Sequence, residues 1–405
     1  MRILFLSHRF PYPPTFGSKV RAFQVIKHLA RQHEVTVWAP AHSAAEQAAA
    51  AGIAAHCHSH RVYPVQHARQ LAKVAFTLPS TVSASEAYFH SGAMQRDVER
   101  ELARRSYDFA FVHCSSVGRY VPTGSDLPKM IDYCDVDSRK WYDFAAHKRW
   151  PLSLGYRWEG WRVQRAERRL GGLFDQVTVA TPGEVRQLRD IGMTERVDWF
   201  ANGVDFDHFA PDGSAYDEDL IGFVGRMDYF PNEQCMVDFC RTVWPRLRAA
   251  RPRLRLQIIG ADPTPKVQAL GRLAGVQVTG EVPDVRPLVR RCALTVSPLS
   301  IARGTQNKIL ESMALGVPVV TSRIAATGVD ALPGEHLLAA DGVQQTADAV
   351  LELLGDARLR ARLAAAGRAR VRSHHSWAAA MTRLDGIMGR CFGPRAQAQS
   401  MASVV

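Results

Sequence analysis

The chain has 405 residues, 46% of them hydrophobic, and a formal net charge of +12. That length exceeds one ordinary core and suggests two domains of roughly 200 residues, each apolar enough to fold, which excludes a disordered chain. The basic balance favours an anionic partner such as a phosphorylated ligand, an anionic membrane surface or nucleic acid, and the seven scattered cysteines contain no CxxC and argue against a disulfide framework.

The first apolar run, Ile3 to Leu6, is shorter than the roughly 7–15 residues of a signal peptide and reads as a buried strand within 2–7. An amphipathic helix over 19–32 and a second strand over 34–40 follow, then strands over 108–114, 129–134 and 176–181. The second half repeats the alternation, with strands at 219–225, 255–261, 276–280, 293–298 and 317–322. Apolar strands separated by helices imply parallel sheets covered on both faces. The polar, turn-rich stretch 202–219 reads as the linker. We therefore expect an α/β chain of two doubly wound, Rossmann-like domains, 1–201 and 202–375. A C-terminal helix over 376–392 would return to the first domain, and a tail at 393–405 is expected to be disordered. Ligands are expected at the carboxyl ends of the strands. No run of about 18 apolar residues occurs, so no membrane span is expected, and a cytoplasmic protein able to touch a membrane surface follows.

Three stretches carry candidate chemistry. "PPTFGSKVR" (13–21) is a glycine loop before the first helix, where backbone amides could meet an anion or simply turn the chain, with Lys19 and Arg21 solvated. "FVGRMDYFPN" (223–232) places Gly225 and Arg226 directly after a strand, where a guanidinium suits a diphosphate or a surface ion pair. "RGTQNKILESMALGVPVV" (303–320) leads through Gly304 and Thr305 into a helix over 306–315 that carries Lys308 and Glu311 on one face. A lysine at a helix start suits phosphate and a carboxylate one turn on suits paired ribose hydroxyls. The plainer alternative is an intrahelical ion pair. GxGxxG is absent, which weakens a dehydrogenase reading.

The motifs "NGVD" (202–205), "FVGRM" (223–227), "IIG" (258–260), "GEVPDV" (280–285), "VSPL" (296–299) and "GTQNKILESMALGVPVVTS" (304–322) resemble, in order and spacing, the retaining GT-B glycosyltransferases of family 4. With "PYPPTFGSKVR", the run "MIDYCDVDSRKWYDFA" (130–145) resembles more narrowly the sugar transferases associated with PEP-CTERM/exosortase exopolysaccharide clusters. The resemblance implies a metal-independent transferase without a cofactor, whose donor is a nucleoside diphosphate sugar. Glu311 would hold the ribose, Arg226 and Lys308 the diphosphate, Gly304 and Thr305 the phosphate end, and Gly17 would let the glycine loop approach the donor. Backbone near Glu281 and Val282 would read the base, His113 would lie beside the reacting sugar, and Arg21 would stand on the acceptor side. Two positions depart from the family pattern. Arg303 replaces a glutamate that touches the donor sugar, and Asn232 stands where a second lysine is usual.

Three features admit plainer readings. "DVD" (135–137) mimics a metal-binding DxD, but Asp137 or Ser138 as a helix N-cap is preferred. "HCHSH" (56–60) would align His56, His58 and His60 on one strand face, with a surface strand end preferred over a metal site. Segment 139–169 holds nine Lys/Arg and four of the eight tryptophans, which suits an anionic bilayer surface or a packed helix with solvated arginines. The expected partners are a nucleotide-sugar donor, a glycan or lipid-linked glycan acceptor and an anionic membrane surface at 139–169, with no nucleic acid. Two rivals to a transferase are a nucleotide-sugar 2-epimerase on the same fold and a non-enzymatic module that binds anionic lipid or nucleic acid.

Overall fold

The computed structural model of the chain describes residues 1–15, 17–193 and 196–392. The chain forms two compact units, one from Met1–Ala201 together with the chain from Ala380 onward, the other from Asn202–Ala379.

The first unit is built on a seven-stranded sheet. Its strands are β1 (Arg2–Ser7), β2 (Glu34–Ala41), β3 (Ser59–Pro64), β4 (Phe109–His113), β5 (Lys129–Cys134), β6 (Gln176–Val179) and β7 (Val197–Trp199), in the order β3-β2-β1-β4-β5-β6-β7. Every pairing is parallel. The central strands are continuous apolar runs because helices cover both faces. Ile3, Leu4, Phe5 and Leu6 are all fully buried, as are Phe109 to Val112. The edge strands β3 and β7 have no such run. β3 reads Ser-His-Arg-Val-Tyr-Pro and buries only Tyr63, and β7 has three half-buried residues. Apolar patterning cannot reveal strands of that kind. Helix Gly17–Leu29 follows β1. Further on, helices Asp137–Ala146 and Leu152–Gly171 pack against each other.

The second unit carries a six-stranded parallel sheet in the order β10-β9-β8-β11-β12-β13. Its strands are β8 (Asp217–Val224), β9 (Arg255–Ile259), β10 (Val276–Gly280), β11 (Cys292–Ser297), β12 (Val319–Thr321) and the two-residue edge β13 (Leu338–Ala339). The core joins Ile221, Phe223, Leu256, Ile258, Leu294 and Val296 from the sheet to Ile309, Leu310 and Met313 from the helix Asn307–Ala314. The stretch 202–219 is not a free linker. Asn202 bonds Asn307, Val204 pairs with Ser376, Arg290 binds the Ala210 carbonyl and Asp212, and 217–219 already belong to β8.

The second unit runs past residue 375 to Ala379, inside the last helix, Trp377–Arg390. The later turns of that helix belong to the first unit, where Arg383 Nη2 binds Asp198 at 2.6 Å and Asp385 binds His28 at 2.8 Å. The tail expected at 393–405 lies outside the described residues.

Candidate active site

In the second unit the carboxyl ends of the strands gather the residues that the motifs singled out. β8 ends at Val224 and hands on to Gly225 and Arg226. Gly225 is small of necessity, since a Cβ there would meet Asn232 Nδ2 at 2.7 Å and Lys308 Nζ at 3.3 Å. Asn232 ties the two sides together. Its amide nitrogen donates to the Arg226 carbonyl at 2.8 Å, and its oxygen accepts from Lys308 Nζ at 2.5 Å. The residue that replaces the usual second lysine thus holds the remaining one. The Lys308 ammonium also sits 4.8 Å from the Phe223 ring centroid.

After β11, Gly304 turns the chain at φ +58° into the helix Asn307–Ala314, which starts without a side-chain cap. The preceding Thr305 hydroxyl oxygen is buried and has no hydrogen-bond partner among the described residues. Burial pushes the Lys308 ammonium down to about 8 and the Glu311 carboxyl up to about 7, and the attraction between the two opposes both shifts. Lys308 reaches toward Asn232 across the site, so the plain intrahelical pair does not describe it.

Arg226 is half-exposed and engaged by carboxylates, Asp228 at 2.8 Å and Asp262 at 2.7 Å. Hydrogen bonding to Asp228 raises its pKa, and the charges of Asp228, Asp262 and Glu281 add to the effect. This is the surface ion pair that was the plainer alternative, and a phosphate would have to share the guanidinium with two acids. Glu281 is exposed just after β10, while Val282 is half-buried against Ile259, Val289, Leu315 and Val317. Arg303 is half-buried, and its carbonyl accepts from Gln306 at 2.8 Å.

The first unit places its candidates differently. Gly17 opens the first helix, next to Ser18. His113, expected beside the reacting sugar, is fully buried, with Nε2 3.1 Å from the Ser18 carbonyl oxygen and Nδ1 3.3 Å from Asp132 Oδ2. It joins the end of β4 to the start of the first helix as a buried residue. Arg21, expected on the acceptor side, is also buried. Its Nε and Nη2 donate to Asp132 at 2.7 and 3.0 Å, Nη1 donates to the Phe200 carbonyl at 3.0 Å, and the guanidinium lies 3.6 Å from the Phe200 ring centroid. Thr178 adds a hydrogen bond to Asp132 at 3.0 Å. Burial alone would raise the Asp132 carboxyl, but the charges and hydrogen bonds of Arg21 and His113 hold it well below its ordinary value. Lys19 is not solvated either, being buried in an ion pair with Glu46 at 2.7 Å.

The two candidate metal sequences resolve into separate contacts. Helix Asp137–Ala146 is capped by Val136 with no side-chain bond, so neither Asp137 nor Ser138 is the N-cap, and Ser138 instead donates to Glu167 at 2.5 Å. Burial raises the Asp135 carboxyl to about 6, helped by Asp137, and raises Glu184 well above its ordinary value. His56 ends a 3-10 turn and packs on Phe23 at 5.0 Å, while His60 lies on β3 near Phe10 at 6.1 Å, so the three histidines do not share a strand face.

Sequence reasoning missed Asp132, the anchor of the buried network, although a lone acid within the apolar strand "KMIDYC" was a visible signal. It also missed the acids that engage Arg226. Asp262 left no local sign, because only the packing of the loops after β8 and β9 brings it near.

Residues 218–356 match the family Glycosyl transferases group 1. A GDP-mannose-dependent monoacylated alpha-(1-6)-phosphatidylinositol monomannoside mannosyltransferase of Corynebacterium glutamicum is 26% identical over 261 residues, which cover 56% of this chain and 67% of the relative. Sucrose-phosphate synthase from Thermosynechococcus elongatus superposes with a TM-score of 0.72 at 17% identity, over 97% of this chain and 100% of that one. HepE of Anabaena in complex with UDP superposes with a TM-score of 0.68 at 14% identity, over 96% of this chain and 100% of that one. The fold is GT-B, two Rossmann-like α/β units, and the group 1 domain seated in the second of them supports a GT-B glycosyltransferase.

Proposed function

We propose that the chain moves a sugar from a nucleoside diphosphate donor to a glycan acceptor, with retention at the anomeric carbon and without a metal ion or cofactor. The carrying observation is the assembly of Lys308, Asn232, Gly225 and the unpartnered Thr305 hydroxyl at the strand ends of the group 1 domain. A desolvated ammonium beside an uncapped helix start is suited to a diphosphate whose charge grows as the bond to the sugar breaks. Glu311, one turn further on, is suited to the ribose hydroxyls. In the reaction the bond between the anomeric carbon and the phosphate oxygen breaks and a bond to the acceptor oxygen forms. The hydroxyl proton passes to the departing phosphate.

The acceptor in this reading is lipid-linked, in exopolysaccharide assembly at the cytoplasmic face of a membrane. The resemblance to exosortase-associated transferases and the phosphatidylinositol mannoside acceptor named for the Corynebacterium relative support it. Arg303 replaces a hydrogen-bond acceptor with a donor, so the donor sugar is one that offers acceptors or a negative charge, such as a uronic acid.

Thermal denaturation with UDP, GDP, UDP-glucose, GDP-mannose and UDP-glucuronic acid tests the donor site, since a ligand at 100 times its Kd stabilises by about 2.7 kcal/mol. Proton NMR of the product then reads the anomeric configuration. No stabilisation by any of these ligands would refute the donor site. Turnover of donor to an epimer without acceptor would favour the isomerase.

A further inference from the structure

The helix His67–Thr77 is built inside out. Gln70 is its one buried residue. Gln70 Nε2 donates to the His90 carbonyl at 3.0 Å, and Lys73 Nζ donates to the same oxygen at 2.9 Å. The polar side of the helix therefore faces protein. Its apolar side faces outward, with Phe76 85% exposed and Leu78, just past the helix end, 55% exposed. A water-facing helix has the opposite arrangement.

The apolar surface continues onto the helix Leu152–Gly171. The carbonyls of Thr77 and Leu78 accept from Arg162 Nη1 at 2.9 Å and Trp158 Nε1 at 3.3 Å, which holds the two elements side by side. On the second helix Leu154, Trp158 and Trp161 recur at helical spacing on one exposed face, and the two indoles stack at 4.8 Å. Trp150, just before this helix, is 78% exposed. Arginines border the surface. Arg69, Arg149 and Arg157 are exposed, and Arg165 lies 5.9 Å from the Trp161 ring. Arg162 is not among them. It is buried, and it binds Glu159 as well as the Thr77 and Val82 carbonyls.

We propose that this two-helix surface inserts into the interface of a bilayer that contains anionic lipids, with Phe76, Leu78 and Trp150 among the acyl chains and the arginines on the headgroups. Large indole rings at the rim and cations beside them match the two layers of such an interface. A second copy of the chain is a poorer occupant, because a two-fold contact would set the same arginines against each other. The proposal extends membrane contact from 139–169 to a helix outside that segment. It stands on this surface alone and not on the donor chemistry.

The test is co-sedimentation of the full chain with phosphatidylcholine vesicles and with vesicles that also contain phosphatidylglycerol. The parent is expected to bind the anionic vesicles more tightly. Phe76→Asp combined with Leu78→Asp should weaken that binding at least about tenfold. Trp150→Ser, on the other helix, should weaken it as well. Leu332→Asp, at a position 53% exposed in the second unit, should leave it unchanged. Circular dichroism checks that each variant folds. A parent that binds neither vesicle, or a Phe76/Leu78 variant that binds as the parent does, would overturn the proposal. So would a parent dimer, by light scattering, that the same variant converts to monomer. Vesicle binding that persists in a protein stabilised by no nucleotide would support this proposal and refute the donor site.

Discussion

Replacing Lys308 with Met should make the unliganded protein more stable while it destroys donor binding. The ammonium titrates near 8 instead of 10.5, so holding it charged costs the folded state about 3 kcal/mol at neutral pH. Methionine has similar length and no charge to desolvate. Against that gain stands the Asn232 oxygen left without its donor, a loss of about 1–3 kcal/mol. The net expectation at pH 7 lies between no change and about 2 kcal/mol of added stability. The sign follows from proton counts. Between pH 8 and 10.5 the unfolded chain binds more protons at this lysine than the folded one, so the stability of the parent rises with pH there. By pH 10.5 the parent has recovered most of its cost and the variant should be the less stable of the two.

Urea titrations at pH 7 and at pH 10.5 measure the crossover. The stabilisation by donor, about 2.7 kcal/mol at 100 times Kd for the parent, should vanish in the variant, and kcat should fall by ~10²-fold or more. A variant destabilised by more than about 2 kcal/mol at both pH values would make Lys308 a structural residue. Donor stabilisation equal to that of the parent would remove it from the diphosphate site.

Glu311→Gln should flatten a pH dependence. The folded carboxyl titrates near 7 and the unfolded one near 4.5, so the stability it contributes is complete below 4.5 and about 3 kcal/mol of it is lost as pH rises through 7. Calorimetry between pH 4.5 and 8 should show that loss in the parent and not in the variant, and donor affinity measured by titration should rise through pH 7 in the parent alone. Asp132→Asn should destabilise the first unit by about 3–5 kcal/mol in urea, because it strands the buried Arg21 charge. An effect under about 1 kcal/mol would mean that Arg21 finds other acceptors. Arg303→Glu should shift donor preference, read as kcat/KM ratios, from an acidic sugar toward a neutral hexose. An unaltered ratio would take Arg303 out of the sugar pocket.

The fold was legible wherever burial is two-sided. β1, β4, β5 and β11 are mostly apolar because both their faces are covered, and each was expected within a residue or two of its observed ends. β3, β7 and β13 were not, because an edge strand needs neither length nor an apolar run. Helix Asn307–Ala314 and its Lys308–Glu311 face were legible because the spacing is local. His113, Arg21 and Arg226 have surroundings that the sequence alone does not show, for one common reason. Each residue type is equally at home facing a ligand or a carboxylate, and a carboxylate far away in the chain engages each of them, Asp132 the first two and Asp262, beside the local Asp228, the third. A strand end says where a side chain starts and nothing about the acid that another strand brings to it.

The Asp132 network of the first unit and the Lys308 cluster of the second treat charge in opposite ways. Around Asp132 the buried charges are answered. Asp132 receives Arg21, Thr178 and His113, and its carboxyl is held firmly in the ionised form that its neighbours require. Such a network stabilises one arrangement. Around Lys308 the charges are answered in part. Lys308 has an amide oxygen and a ring where a carboxylate would serve better, Glu311 is pushed toward protonation, and the Thr305 hydroxyl has no partner among the described residues. An incoming diphosphate with its ribose supplies an anion, hydrogen-bond acceptors and hydroxyl donors together. Groups held away from their preferred state in the free protein gain most when the ligand arrives, and they gain most of all at the leaving phosphate, where negative charge grows.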